Sequence, residues 1–128
     1  MKSCFLDTCA VIHILAGNQA PIDALEEYDD LLISHVVLGE LIFGCHRSLD
    51  PDRELARIAA WFPSVSVVTA TPETAGIYGA LAADLEKRGA RIPHNDLWIA
   101  SVCVQCNLPL VSRDDHFSRP SGLQWISY

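Results

Sequence analysis

Short apolar segments alternate with longer helix-like segments along this chain of 128 residues. Segments this short and this apolar are typical of a parallel sheet that helices cover on both faces. The alternation therefore predicts an α/β fold with three α/β/α layers, a central parallel sheet of four to five short strands and a single domain over residues 1–128. The strands are expected at 3–6, 31–33, 65–68 and 110–111, with a fifth over 123–126.

Residues that favour helix starts lie between these apolar segments. Ser34 can cap a helix, and Asp50-Pro51 and Thr71-Pro72 each pair a capping side chain with a proline in the first turn. Helices are predicted over 8–15, 21–27, 35–47, 51–62, from 72 to an end at 89, and from 95 or 96 to about 106.

Charge and cysteine content restrict the class of protein. Sixteen acidic and nine basic residues give a net charge of −7, which excludes a general nucleic-acid coat, since phosphate would be repelled. Five cysteines cannot all pair in disulfides, which favours reduced thiols and a cytosolic protein. No segment approaches the ~20 apolar residues that cross a membrane. The mature chain is expected to begin at Met1 and to have no membrane partner.

Two acidic residues follow predicted strands. Asp7 comes directly after the first strand, and Asp114 follows the strand at 110–111. Ligand and catalytic sites of parallel sheets lie at the carboxyl ends of the strands. Either acid alone could be a turn former or helix cap. Together they predict a functional site at this edge of the sheet.

Two further acids lie on predicted helices. Glu40 is the only charged residue between Val36 and Cys45, where apolar neighbours leave little room for a solvent-facing side, so a functional role is slightly favoured over a solvent-facing one. Asp96 begins an apolar helix, where the helix dipole is expected to keep it ionised, although capping alone would also explain an acid there.

If these four acids meet, the sequence nearby offers only Arg113 to neutralise them. Crowded carboxylates take up protons or bind a cation. Oxygen ligands select hard ions, so the pattern predicts one or two Mg²⁺ or Mn²⁺ ions.

At this point the sequence resembles the PIN-domain ribonucleases, and among them the VapC-type toxins of bacterial type II toxin–antitoxin pairs. Each motif is weak alone, but their order, their spacing and the chain length all fit. The motifs are Leu6-Asp7-Thr8, Gly39-Glu40-Leu41, Asn95-Asp96-Leu97 with Ile99-Ala100, Leu110 to Asp114 with His116-Phe117, and the closing segment 120–123.

The resemblance implies a metal-dependent endoribonuclease whose supporting hydroxyls are Thr8 and Ser112. It also implies an RNA substrate, a homodimer and a cognate antitoxin protein as partner. Asp115 adjoins Asp114, and the family sometimes has an acid at the position of His116. The spacing from Ser112 favours Asp114 as the fourth acid of the site. The metal-binding and catalytic acids implied are Asp7, Glu40, Asp96 and Asp114.

Substrate contacts are predicted more weakly than the metal site. Arg113 and His116 lie next to the fourth acid and could touch RNA. The densest basic cluster, Lys87, Arg88 and Arg91, could guide RNA, although a solvated helix end is the favoured interpretation.

Two other functions compete with the nuclease. A haloacid-dehalogenase-like phosphotransferase also places an Asp after its first strand, but it needs a second Asp where this chain has Cys9, and a catalytic lysine, for which only Lys2 and Lys87 exist. A non-catalytic interaction module could use the same fold. The presence of all four acids favours the nuclease over both.

Overall fold

The computed structural model describes all residues from Met1 to Tyr128. Its centre is one sheet of five strands, and every neighbouring pair of strands is parallel. The strand order is β3-β2-β1-β4-β5, which puts β1 in the middle. The strands are β1 Ser3–Leu6, β2 Asp30–Ser34, β3 Ser66–Val68, β4 Leu110–Val111 and β5 Trp125–Ile126.

Six α-helices flank the sheet and confirm the predicted α/β/α architecture. Two short 3₁₀ turns, Phe62–Ser64 and Asp115–Ser118, complete the secondary structure. No helix is both long enough and apolar enough to span a membrane. The helices are α1 Thr8–Leu15, α2 Gln19–Ala24, α3 His35–Arg47, α4 Pro51–Trp61, α5 Pro72–Lys87 and α6 His94–Cys106.

Three helix starts form as their capping residues predict. The Ser34 hydroxyl accepts a hydrogen bond from the backbone N–H of Val37 at 3.3 Å, and the Asp50 carboxylate accepts one from Arg53 at 3.2 Å. Thr71 begins α5 through a capping box with a threonine three residues later. Each cap satisfies a backbone donor that the helix itself leaves free, which stabilises the start by about 1 kcal/mol.

The central strand is the centre of the core. Cys4, Phe5 and Leu6 have no exposed surface, and they belong to a cluster of 15 buried residues that β2, β4, α1, α3 and α6 share. Removing a side chain such as Phe5 or Leu6 from water contributes about 2 kcal/mol. This burial holds the carboxyl end of β1 in a rigid position.

A second, smaller core lies between α5 and α6. It consists of Leu81, Leu85 and Leu97, with half-buried neighbours around them. Cys103, also on α6, is fully buried in the main cluster, Cys106 packs against that cluster, and both are free thiols. These two cysteines therefore belong to the core packing.

Some boundaries differ from the predicted ones. Helix α2 begins at Gln19, two residues before the predicted start, and ends at Ala24. Helix α6 begins at His94 after Pro93, and no side chain caps it. A proline just before a helix needs no backbone partner, so neither Asn95 nor Asp96 is required as the cap. The Asn95 amide and the Asp96 carboxylate are therefore available for other contacts.

Candidate metal site at the carboxyl edge of the sheet

The ends of two neighbouring strands bring the first site residues together. Asp7 follows β1, and Ser112 follows β4, which pairs directly with β1. The backbone N–H of Asp7 donates to the carbonyl oxygen of Val111 at 3.0 Å, so the strand pairing continues to the site itself. The predicted convergence of these two segments is present in the fold.

Asp7 is the most enclosed of the acids, with 5% of its surface exposed. The Ser112 hydroxyl donates to its Oδ2 atom at 2.8 Å, and the Cys9 thiol lies 3.3 Å from the same oxygen. A buried carboxylate is costly unless hydrogen bonds or a cation compensate it. These two neutral donors compensate it only in part, since neither carries a positive charge.

Glu40 reaches this edge from α3 and is held through Thr8. The Thr8 hydroxyl donates to Glu40 Oε1 at 2.8 Å, and both side chains are half-buried. Helix α3 does have a solvent-facing side, however, because Gly39 is exposed and Phe43 is 60% exposed. The sequence predicted little room for a solvent-facing side here, and more room exists because some of those apolar neighbours are themselves exposed.

Asp96 and Asp114 meet across an imidazole. His116 Nε2 lies 2.5 Å from Asp96 Oδ2, and its Nδ1 lies 2.9 Å from Asp114 Oδ1. The Asp96 and His116 side chains are 17% and 18% exposed, whereas Asp114 is 44% exposed. One ligand atom from each of these three residues lies within 4.8 Å of the other two.

The basic group in this cluster is His116, which the sequence indicated only as a possible RNA contact. His116 contacts two of the acids, while the Arg113 guanidinium lies over the ring of Tyr128, 5.4 Å from its centre. Arg113 points elsewhere because the aromatic ring offers it a cation–π contact. Only the position of His116, two residues after Asp114 in the same loop, could have signalled its role.

Ser112 joins the two sides of the edge. Its hydroxyl donates to Asp7 and accepts a hydrogen bond from the backbone N–H of Asp114 at 3.0 Å. It is completely buried. A single hydroxyl therefore sets the distance between the strand-end acid and the loop that carries Asp114 and His116.

Crowding of negative charge is strongest at Asp96. Burial is the main cause that raises the pKa of Asp96 to about 6, and the charges of Asp7 and Glu40 add to the rise. The contact with His116 lowers the pKa, but by less. Burial and two neighbouring carboxylates raise the pKa in spite of the helix dipole, but a carboxyl group with a pKa of about 6 is still mostly ionised at neutral pH, so the expected ionised form predominates there.

Other predicted residues stand apart from the acids. Asp115 is exposed and opens the 3₁₀ turn. Arg88 pairs with Asp84 at 2.8 Å, and Arg91 pairs with Glu86 at 3.0 Å, while Lys87 is exposed beside them. No hydrogen bond or ion pair joins these cations to the four acids. The pairing supports the solvated helix end that the sequence favoured.

Sequence reasoning missed a polar chain behind Asp7. The Tyr128 hydroxyl lies 2.7 Å from His13 Nδ1 and donates to Cys9 Sγ at 3.7 Å. Burial is the main cause that raises the pKa of the Cys9 thiol, which therefore stays neutral beside the acid. Nothing in the sequence links residues 9, 13 and 128, so only the folded chain reveals this contact.

Comparison with known proteins agrees with this fold. Residues 4–123 match the PIN domain, a stretch that includes every acid of the edge. The chain belongs to the PIN-domain family. This PIN domain is 30% identical over 125 residues to ribonuclease VapC1 of Haemophilus influenzae strain R2866, covering 94% of this chain and 93% of that protein.

Two solved structures have the same fold as this PIN domain. The VapBC-1 structure from nontypeable Haemophilus influenzae superposes with a TM-score of 0.86 at 29% identity, covering 98% of this chain and 97% of that one. The DNA-bound VapBC structure from Salmonella typhimurium superposes with a TM-score of 0.89 at 25% identity, covering 99% and 98%.

The donor atoms at the edge suit a divalent cation. Carboxylate oxygens are the ligands that Mg²⁺ and Mn²⁺ take in proteins. The edge carries four carboxylates and one imidazole, which contacts only Asp96 and Asp114, so negative charge is in excess. A bound cation would relieve the repulsion that raises the pKa of Asp96. The donor atoms and the charge at this edge of the PIN domain therefore fit a divalent metal ion.

Proposed function

We propose that this chain is a divalent-metal-dependent endoribonuclease and the VapC-type toxin of a type II toxin–antitoxin pair. The single observation that carries the proposal is that hydrogen bonds and chain neighbours hold all four acids at one edge of the sheet. Glu40 accepts from Thr8, which follows Asp7 in the chain, and Ser112 joins the Asp7 carboxylate to the backbone of Asp114, whose side chain shares His116 with Asp96.

The proposed ligands of one or two Mg²⁺ or Mn²⁺ ions are the same four acids, Asp7, Glu40, Asp96 and Asp114. Such an ion, when bound, supplies Lewis-acid activation of water and neutralises the charge of a phosphodiester. The fit rests on the oxygen donors and on the excess of negative charge.

The chain's own residues orient the proposed ligands. Ser112 fixes the Asp7 carboxylate by donating to one of its oxygens, and Thr8 does the same for Glu40. Such partners restrict the rotation of a ligand and place it before the ion arrives. Thr8 and Ser112 are therefore proposed as positioning residues rather than ligands.

RNA is proposed to approach from the open side of the edge. A pocket there is lined by Cys9, Arg113, Asp114 and Asp115. Arg113 is exposed and can contact a phosphate next to the one that is cleaved, with the hydrolytic attack in line with the leaving oxygen. The relatives named as ribonucleases support RNA as the polymer.

Protein partners are proposed from the same relatives and from the surface of the chain. The similar solved structures contain VapBC pairs, which supports an antitoxin as partner in the cytosol. Large apolar side chains also remain exposed in the monomer, which supports a homodimer. These side chains include Ile12 at 52%, Phe43 at 60% and Leu49, which is fully exposed.

Cleavage by purified protein tests the function. Full-length chain, freed of antitoxin, should cut a mixture of cellular RNAs in the presence of Mg²⁺ or Mn²⁺ and stop when EDTA is added. Undiminished cleavage in EDTA would overturn the metal mechanism. Metal binding without cleavage of any RNA, in a chain that also fails to arrest growth, would favour the non-catalytic module instead.

A further inference from the structure

We propose that the imidazole of His116 is itself a metal ligand, so that the site contains nitrogen as well as oxygen and prefers Mn²⁺ to Mg²⁺. This inference rests on the proposed metal-dependent function and adds a fifth ligand to its site. It changes the expected chemistry of the site, because the four acids alone form an oxygen-only set that suits Mg²⁺ well.

Each contact of His116 has a distance close to that between two neighbouring ligands of one ion. Ligands at right angles around an octahedral ion, each at about 2.1 Å from it, lie about 3 Å from one another. Nε2 lies 2.5 Å from Asp96, and Nδ1, on the other side of the ring, lies 2.9 Å from Asp114. One ion can therefore take the place of the proton in one of these two contacts, with small movements of that nitrogen and its carboxylate.

The imidazole is held in place by the core rather than by solvent-exposed chain. The next residue, Phe117, is 1% exposed and belongs to the main hydrophobic cluster. The two rings touch at 5.1 Å between their centres. Backbone hydrogen bonds join Phe117 to Asp114 and Arg119 to His116 across the 3₁₀ turn. The ring is therefore pre-positioned with its nitrogens beside the acids.

An imidazole nitrogen discriminates between divalent ions. Mg²⁺ is a small hard ion that keeps oxygen ligands and water. Mn²⁺ also takes oxygen ligands, but as a transition-metal ion it gains more from a nitrogen donor than Mg²⁺ does. A site with one nitrogen donor therefore gains affinity for Mn²⁺ that it does not gain for Mg²⁺. The preference should depend on residue 116 alone, since no other histidine contacts the acids.

A different role for His116 would leave the metal preference unchanged. The ring could donate hydrogen bonds to Asp96 and Asp114 while those carboxylates alone hold the ion. In that arrangement no nitrogen is bonded to the metal. Magnetic resonance separates the two arrangements directly, because Mn²⁺ is paramagnetic and a bonded ¹⁴N nucleus couples to its electrons.

The experiment uses the untagged full chain, freed of antitoxin, and His116→Asp, which offers an oxygen donor instead. His46→Asp is the matched control, since His46 is exposed at the end of α3 and contacts none of the acids. Electron-spin-echo spectra of bound Mn²⁺ report ¹⁴N coupling. Calorimetry gives the dissociation constants for Mn²⁺ and Mg²⁺ in all three proteins.

The wild type and His46→Asp should show ¹⁴N coupling and a preference for Mn²⁺. His116→Asp should lose the coupling, and its preference for Mn²⁺ over Mg²⁺ should fall about tenfold or more. Bound Mn²⁺ without ¹⁴N coupling in the wild type overturns this proposal, as does a preference in His116→Asp that changes less than twofold.

A cleavage assay distinguishes failure of this proposal from failure of the proposed function. If RNA cleavage needs a divalent ion but the spectra show no nitrogen, His116 is not a ligand and the nuclease proposal stands. If RNA is cut equally well in EDTA, or the chain binds neither ion, both proposals fall together.

Discussion

The two sides of the acidic edge hold their carboxylates in different ways. On the first side, Asp7 is 5% exposed at the end of the central strand and receives hydrogen bonds from Ser112 and Cys9, which are neutral. On the second side, Asp96 and Asp114 lie on a helix and a loop, are more exposed, and share an imidazole.

The two sides differ in how each combines fixed geometry with compensation of charge when no metal ion is bound. The buried side has a fixed geometry but an uncompensated charge, which is one cause of the raised pKa of Asp96. The other side has a basic group, yet its geometry depends on a loop. A mutation on the buried side should therefore reduce RNA cleavage most. A mutation on the other side should reduce it less, because the loop there can adjust.

The largest effect is expected for Asp7→Asn. This change keeps the shape and the two hydrogen bonds but removes the buried charge. RNA cleavage should therefore fall about a hundredfold or more, which exceeds the usual cost of removing a residue that only hydrogen-bonds a metal ligand. Growth arrest on induction should also disappear. Cleavage assays and growth curves with Asp52→Asn, an exposed acid on α4, provide the control.

The fold of Asp7→Asn should remain intact, and its melting temperature in EDTA should equal or exceed that of the wild type because a like-charge contact is relieved. A fully toxic Asp7→Asn would contradict the nuclease proposal itself. A variant that is inactive because it is unfolded would show up in the melt.

Ser112→Ala should come next, because one hydroxyl serves both sides of the edge. Its loss removes the donor to Asp7 and the acceptor of the Asp114 N–H. We expect a loss of about 1–3 kcal/mol in the free energy of unfolding and about tenfold weaker Mn²⁺ binding. Urea melts and calorimetry measure the two effects, with the exposed Ser118→Ala as control.

Equal behaviour of the two serine variants would show that the Ser112 hydroxyl does not connect the two sides of the edge.

A smaller loss is expected for Asp114→Asn. An amide oxygen can still ligate a cation, and the side chain is 44% exposed, so cleavage should fall only several-fold. Asp115→Asn is the matched control, since Asp115 is exposed and contacts none of the acids. The reverse order, an inactive Asp115→Asn and a fully active Asp114→Asn, would show that the fourth acid had been assigned wrongly.

The smallest effect is a pH dependence that Asp96 causes in the metal-free protein. Its pKa of about 6 lies above the ordinary 3.8, so the folded chain binds this proton more tightly than the unfolded chain does. The resulting penalty is fully present above pH 6 and is relieved as the pH falls from 6 toward 3.8.

Asp96→Asn should therefore stabilise the chain in EDTA by about 1–2 kcal/mol at pH 7.5 and by almost nothing at pH 4. Thermal melts at the two pH values measure it. A difference that stays constant with pH would mean that the charge of Asp96 is not what costs stability.

Much of this architecture could be predicted from the sequence because its signals are local. Ser34, Asp50 and Thr71 begin their helices as predicted, since a cap needs only the residues that follow it. The apolar strands likewise place Asp7 and Ser112 at one edge, because parallel strands end together.

The arrangement of charges at the site could not be predicted in the same way. Whether Arg113 or His116 faces the acids depends on which side chain the loop turns inward, and the ring of Tyr128 attracts Arg113 away. The ionisation of Asp96 depends on burial and on charges from two distant segments. These are properties of the packed chain rather than of any motif.

The sheet order has a consequence for synthesis of the protein. Asp7 emerges near the start of translation, but the Ser112 hydroxyl that fixes it lies 105 residues later, and the strand β4 that completes its edge comes just before. Contacts this distant in sequence form late in folding. A ribosome that has made most of the chain still carries an incomplete edge. The nascent polypeptide therefore cannot complete its acidic edge until its last fifth has been made.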